Sequence, residues 1–215
     1  MKKMLRCNLI LILLIVFTII GTDVFAFSIT YDSELYFEGS TRPYSTSKIK
    51  AKDGLWRSEH YMEGAATEVS IINSQGLYIF YLTGDRGVFI TKDRKQFEQT
   101  REDLMYLSEP GKYLNYLKAQ QQGRLVSSEI IDGYECDVYE FQKGFPGMDA
   151  TAGYGNMWSG KVWLWKERAY PYIRIEFVSP WGRMVRKAKN IQLDIPIPDS
   201  EFEVPAKVKF EVPDN

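Results

Sequence analysis

Turn signals recur along most of this chain, and the runs between them are rich in β-branched and aromatic side chains, the pattern of many short strands. Residues 27–36 place Phe27, Ile29 and Tyr31 at period two. Residues 47–52 set Lys48, Lys50 and Lys52 against Ile49 and Ala51, the alternation of a strand with one wet face. Asp53-Gly54 turns that run into residues 55–62, so the two form a hairpin. Residues 68–73 and 77–82 flank Ser74-Gln75-Gly76 as a second hairpin, and Gly84-Asp85-Arg86-Gly87 turns the chain into residues 88–91. Residues 124–131 meet 134–142 across Asp132-Gly133, the strongest hairpin signal present. Residues 161–166, 172–178 and 184–193 read as further strands. The tail carries Pro196, Pro198, Pro205 and Pro213, and because proline cannot donate to a ladder it is predicted to be extended at an edge.

The pattern changes in the middle. Ser108, Glu109 and Pro110 make a helix start, with a capping hydroxyl, an early acid and a proline in the first turn. Tyr113, Leu114, Tyr116 and Leu117 follow at helical spacing and Gly123 ends the segment, which predicts a helix over 109–122. Residues 95–107 read either as a strand from Phe97 or as a short helix through Leu104. Residues 144–160 form a glycine-rich loop carrying Phe145, Met148, Tyr154, Met157 and Trp158. Those side chains either close over an apolar ligand, a membrane or a partner, or tuck onto the sheet.

Several strands are apolar on both faces. Leu77, Ile79 and Tyr81 oppose Tyr78, Phe80 and Leu82, and Val162 and Leu164 oppose Trp163 and Trp165. An antiparallel sheet with one solvated face alternates cleanly, so here both faces need cover. One face packs on the helix. The other either meets a second sheet or lines a cavity for an apolar ligand.

Residues 1–26 have the form of a secretory signal peptide. Lys2, Lys3 and Arg6 precede an apolar run over 9–20, and Val24-Phe25-Ala26 supplies a small residue at the cut. The run is shorter than the roughly 20 apolar residues a membrane-spanning helix needs. Cleavage leaves a single domain over residues 27–215, which is long enough to build its own core. Cys7 departs with the signal, so Cys136 remains alone, without an internal disulfide or a cysteine-based metal site. Alternation with Asp137 turns Cys136 inward as a small apolar residue. The 27 basic and 28 acidic side chains balance, which argues against a nucleic-acid partner.

Catalytic patterns are sparse. His60 is the only histidine, so no HExxH zinc helix can be built, and a Ser-His-acid triad would have to use it without a G-x-S-x-G elbow. Gly84 to Gly87 lacks the strand-to-helix setting of a phosphate cradle. Glu102 with Asp103 and Glu135 with Asp137 are carboxylate pairs with no sign of convergence on a cleft. No catalytic residue, metal or cofactor is assigned.

The mature chain resembles the LolA/LolB-like superfamily of periplasmic lipoprotein carriers, particularly its outer membrane lipoprotein-sorting members. The resemblance rests on Ile130-Ile131-Asp132-Gly133-Tyr134-Glu135-Cys136-Asp137-Val138-Tyr139, then on Lys161-Val162-Trp163-Leu164-Trp165 with Tyr170-Pro171 and Arg174-Ile175-Glu176-Phe177. It closes on Pro198-Asp199-Ser200-Glu201-Phe202-Glu203-Val204-Pro205. It implies a mainly β fold: a strongly curved antiparallel sheet forming an unclosed half-barrel, with one or a few helices over the open side and a hollow that binds acyl chains. Arg57 corresponds to an early-strand arginine that holds the lid in such carriers. The chain departs from that pattern in entering a strand at Phe27 without a leading helix, and in showing one clear lid helix.

The first reading is therefore a periplasmic, non-catalytic carrier or binder of lipid or lipoprotein acyl chains. Tyr78, Phe80, Phe89, Trp163, Trp165, Ile173 and Ile175 line its groove, and Phe145, Met148, Tyr154, Met157, Trp158 and Arg57 serve its lid and loop. The alternatives are an interaction or sensor module of the same fold, binding another envelope protein through the sheet edge or the 144–160 loop, and a carboxylate-dependent hydrolase.

Overall fold

The computed structural model describes residues 27–93, 97, 111–119, 122–142, 159–168, 172–179 and 182–212. The expected signal segment, most of 95–107, and Phe145, Met148, Tyr154, Met157 and Trp158 lie outside the described residues.

Two runs of hairpins make the sheet. The first contains β1 (Ser28–Phe37), β2 (Ser45–Lys52), β3 (Leu55–Met62), β4 (Glu68–Ile72), β5 (Gly76–Tyr81) and β6 (Arg86–Thr91). The second contains β7 (Arg124–Ile131), β8 (Tyr134–Phe141), β9 (Ser159–Trp165), β10 (Tyr172–Ser179) and β11 (Gly182–Leu193). Helix α1 (Lys112–Ala119) lies between the two runs, and β12 (Lys209–Glu211) closes the chain. The turns are set by residues able to take positive φ. Asp53 and Gly54 sit at 50° and 78°, and Asp132 and Gly133 at 50° and 85°, the two positive values a tight hairpin turn requires.

Strands β1 and β11 pair antiparallel and join the two runs into one curved, unclosed sheet of 12 strands, in the order β12-β6-β5-β4-β3-β2-β1-β11-β10-β9-β8-β7. Every neighbouring pair is antiparallel except β12 beside β6. That corrects the all-antiparallel expectation at one edge, which is where the proline-rich tail was expected to settle. A second adjustment concerns Gly160, expected to end the 144–160 loop. It pairs instead with Phe141 and Phe177 inside β9, and a Cβ there would collide with the Glu176 carbonyl oxygen. The missing side chain is what lets β10 approach.

The doubly apolar strands find two different covers. On one face, Ile29, Ala51, Trp56, Ile72, Leu77, Ile90, Val162, Leu164 and Ile175 bury against Phe97 and against Tyr113 and Leu117 of α1. On the other face, Val69, Ile71, Tyr78 and Phe80 bury against Ile197, Phe202 and Val208 of the C-terminal segment. A third cluster, Cys136, Val138, Trp163 and Ile173, forms on the β8–β10 part of the sheet. Among the described residues no second sheet takes part.

Candidate functional site: the helix-bearing face

Tyr113 and Leu117 stand one turn apart on α1, so both point down onto the sheet, and both are fully buried. Beneath them the strands present their apolar parity. From β3 to β6 these are Trp56, Ile72, Leu77 and Ile90, and from β9 and β10 they are Val162, Leu164, Ile175 and Phe177.

Further along the same strands the lining turns polar. Cross-strand partners run Ala188, Ser33, Ser47, His60, Glu68 and Tyr81 over β11, β1, β2, β3, β4 and β5. Residues directly opposite in adjacent strands share a face, so this is one transverse row. Ser47 Oγ lies 2.9 Å from His60 Nδ1, and Ser33 Oγ lies 3.3 Å from the Tyr172 hydroxyl. Ser33 is buried, Ser47 and His60 are half-buried, and the row ends at exposed Tyr81.

Burial holds the His60 pKa below its ordinary value. The Glu68 carboxylate opposes that shift and the Arg186 guanidinium adds to it. The imidazole is therefore neutral at neutral pH, and its Nδ1 faces the Ser47 hydroxyl. Burial likewise pushes the Tyr113 hydroxyl far up, with Tyr172 and Arg186 near it. Ser47, His60 and Glu68 stand in the residue order of an acyl-transfer triad. Ser47 is nevertheless paired on both sides, with Ser33 and His60 in the ladder, and backbone donors spent on a ladder cannot form an oxyanion hole. The row is suited to holding a polar group beside an apolar surface. No group of three or more His, Cys, Asp or Glu side chains converges as a metal site among the described residues.

The residues predicted to line a groove do not share this face. Only Ile175 does. Tyr78, Phe80 and Phe89 belong to the opposite face, where Tyr78 stacks on Phe89 at 4.4 Å and meets Phe210 edge-on at 5.0 Å. Trp163, Trp165 and Ile173 belong to the third cluster. Period-two alternation puts their neighbours Leu77, Ile79, Ile90, Val162 and Leu164 on the helix side instead. Arg57 also faces away from α1. Its guanidinium donates to Glu59 Oε1 at 2.6 and 2.9 Å and to the Glu201 carbonyl at 3.2 Å, so it holds the C-terminal segment. The polar row is the feature that reading the strands one at a time passes over. Its signal was present: Ser47 and His60 are equidistant from the Asp53-Gly54 turn, so that hairpin alone pairs them.

No family model matches the sequence, and no curated protein matches it. Solved structures share its architecture. An uncharacterized conserved protein from Thermus thermophilus aligns with a TM-score of 0.55 at 9% identity, over 87% of this chain and 91% of that one. The Mycobacterium tuberculosis lipoprotein LppX aligns at a TM-score of 0.47 and 8% identity, over 80% and 88%. A LolA superfamily protein from Nitrosomonas europaea aligns at 0.32 and 12%, over 83% and 90%. The likeness to the Thermus protein is one of fold alone.

Proposed function

We propose that this chain is a non-catalytic envelope protein that binds or carries lipid or lipoprotein acyl chains on the helix-bearing face, beneath α1. The observation that carries the reading is the graded lining of that face, apolar beneath the helix and polar along Ser33, Ser47, His60 and Glu68. An acyl tail lies on the first part and the polar end of the ligand meets the row. The export segment expected over residues 1–26 supports an envelope location.

Helix α1 is the movable cover. Its eight residues are fewer than a helix needs to persist alone in water, so it depends on docking through Tyr113 and Leu117. Fully burying one such side chain contributes about 1.5–3 kcal/mol. A ligand that replaces those contacts gains about 0.8 kcal/mol for each methylene it removes from water, so a long acyl chain outweighs the docked helix.

The test is native mass spectrometry and fluorescence titration with a fluorescent C16 fatty acid, a phospholipid and a diacylglyceryl peptide. A stoichiometric, saturable complex with at least one of them is expected. Failure of all three to bind the delipidated protein would overturn the reading.

A further inference from the structure

The two ends of the sheet are guarded differently. At one end β12 is a three-residue strand whose Lys209 and Glu211 are exposed, with Arg86 of β6 ion-paired to Glu211. Short length and charge are the usual protection of an edge. At the other end β7 is eight residues long and exposed throughout except for Ile131, with Ile130 at 78%, Leu125 at 53% and Val126 at 39%. Among the described residues β8 is its only strand neighbour.

The polar side chains of β7 are exposed, and they bond within their own sheet. Arg124 donates to Glu140 at 3.2 Å and Ser128 to Asp137 at 2.8 Å. Glu129 accepts from the Trp163 indole and from Ser127, each at 3.0 Å. Beside these exposed polar groups β7 leaves Leu125, Val126, Ile130 and the outward N–H and C=O groups of its backbone to solvent.

We propose that β7 pairs with the β7 strand of a second copy of this chain, antiparallel, about a two-fold axis at Ser128. A two-fold contact is self-complementary, so the register must match residue to residue. The register against β8 already shifts between Leu125 and Ser127, leaving Val126 as the extra residue of a bulge. With the same count applied outward, Ser128 faces Ser128 of the second copy, Ser127 faces Glu129, and Leu125 faces Ile130. The two most exposed apolar side chains cover each other, a hydroxyl meets a carboxylate, and no like charges are opposed. Leu125 and Ile130 share a face because the bulge restores their parity: their partners Tyr139 and Glu135 are four residues apart on β8. The contact is one strand long, smaller than the roughly 1,600 Å² of a standard stable interface, so association is weak and concentration-dependent.

The experiment combines sedimentation velocity with cysteine trapping in the full chain, in a Cys7→Ser background and with Cys136 buried. Ser128→Cys brings two thiols together at the axis. Directly opposed residues in an antiparallel pair have Cα atoms about 4.5–5.5 Å apart, within disulfide range. Ser127→Cys places its thiols diagonally, beyond about 7 Å, where a bridge needs backbone movement. Expected results are a sedimentation coefficient that rises with concentration, at least tenfold weaker association in Ile130→Lys, and covalent dimer forming at least tenfold faster in Ser128→Cys than in Ser127→Cys under oxidised glutathione. A monomer at every concentration, or equal trapping at both positions, would overturn the proposal. Acyl binding is read separately, so failure here leaves the proposed function standing, and the reverse also holds.

Discussion

The face of the sheet turned away from α1 carries two apolar patches, and the chain shelters them by different means. Over β4 to β6 the cover is imported. The C-terminal segment lays Ile197, Phe202 and Val208 onto Val69, Ile71, Tyr78 and Phe80, and ties itself down through Lys50–Glu201 at 2.8 Å and Lys52–Asp199 at 2.9 Å. Over β8 to β10 the sheet uses its own side chains. The Arg174 guanidinium sits 5.3 Å above the Trp163 ring, Tyr134 meets Trp165 edge-on at 5.1 Å, and Glu129 takes the Trp163 indole N–H. Imported cover depends on loop closure over a long stretch of chain, whereas local cover is in place once the hairpins form. The first patch should therefore respond sharply to one anchor, and the ion pairs around that anchor should matter little.

The largest effect is expected at Phe202, which is 3% exposed and is the centre of the tail's contact. Phe202→Ala should cost about 3–5 kcal/mol in chemical denaturation. A loss below about 1 kcal/mol would show that the tail is clamped by something other than its apolar anchor. A second measurement separates this face from the helix-bearing one. His60 has a depressed pKa in the folded chain, so the unfolded chain takes up its proton first. Stability is then complete above the ordinary imidazole pKa and is lost as pH falls through it towards the folded value. Denaturation followed from about pH 8 to 5 should show that decline in the native sequence and in Phe202→Ala, and a shallower one in His60→Asn. An unchanged slope in His60→Asn would assign the decline to other groups. The smallest effect is expected at Glu201→Gln. Both partners of the Lys50–Glu201 pair are about a third exposed, and a solvent-screened pair contributes about 0–1 kcal/mol. A cost equal to that of Phe202→Ala would reverse the order of apolar and ionic anchoring.

Much of the strand order was legible because hairpins are local. Asp53-Gly54 and Asp132-Gly133 announced their turns, and the strands around them begin and end within a residue or two of the predicted limits. Tyr113 and Leu117 announced the docked side of α1. The candidate site was less legible. In Leu77–Tyr81 and Val162–Trp165 both parities are apolar, so nothing local distinguishes the helix-bearing side from the other, and the groove residues divide among three clusters. The serines of the polar row are common strand residues. They become a site only when Ser33, Ser47, His60 and Glu68 line up across four strands.

By itself the sequence determined a mainly β chain, its turns, a docking helix and a tail that ends at a sheet edge, because alternation, positive-φ residues and proline act within a few neighbours. The expected extended tail instead coils into a 3-10 turn at Asp199–Phe202. Only the tertiary structure decided which parity faces the helix, that β1 and β11 join the two runs, and that the tail crosses the opposite face to pair with β6. Those choices rest on contacts between residues far apart in the chain, where two apolar surfaces compete for two covers and only the assembled sheet sets which cover reaches which face.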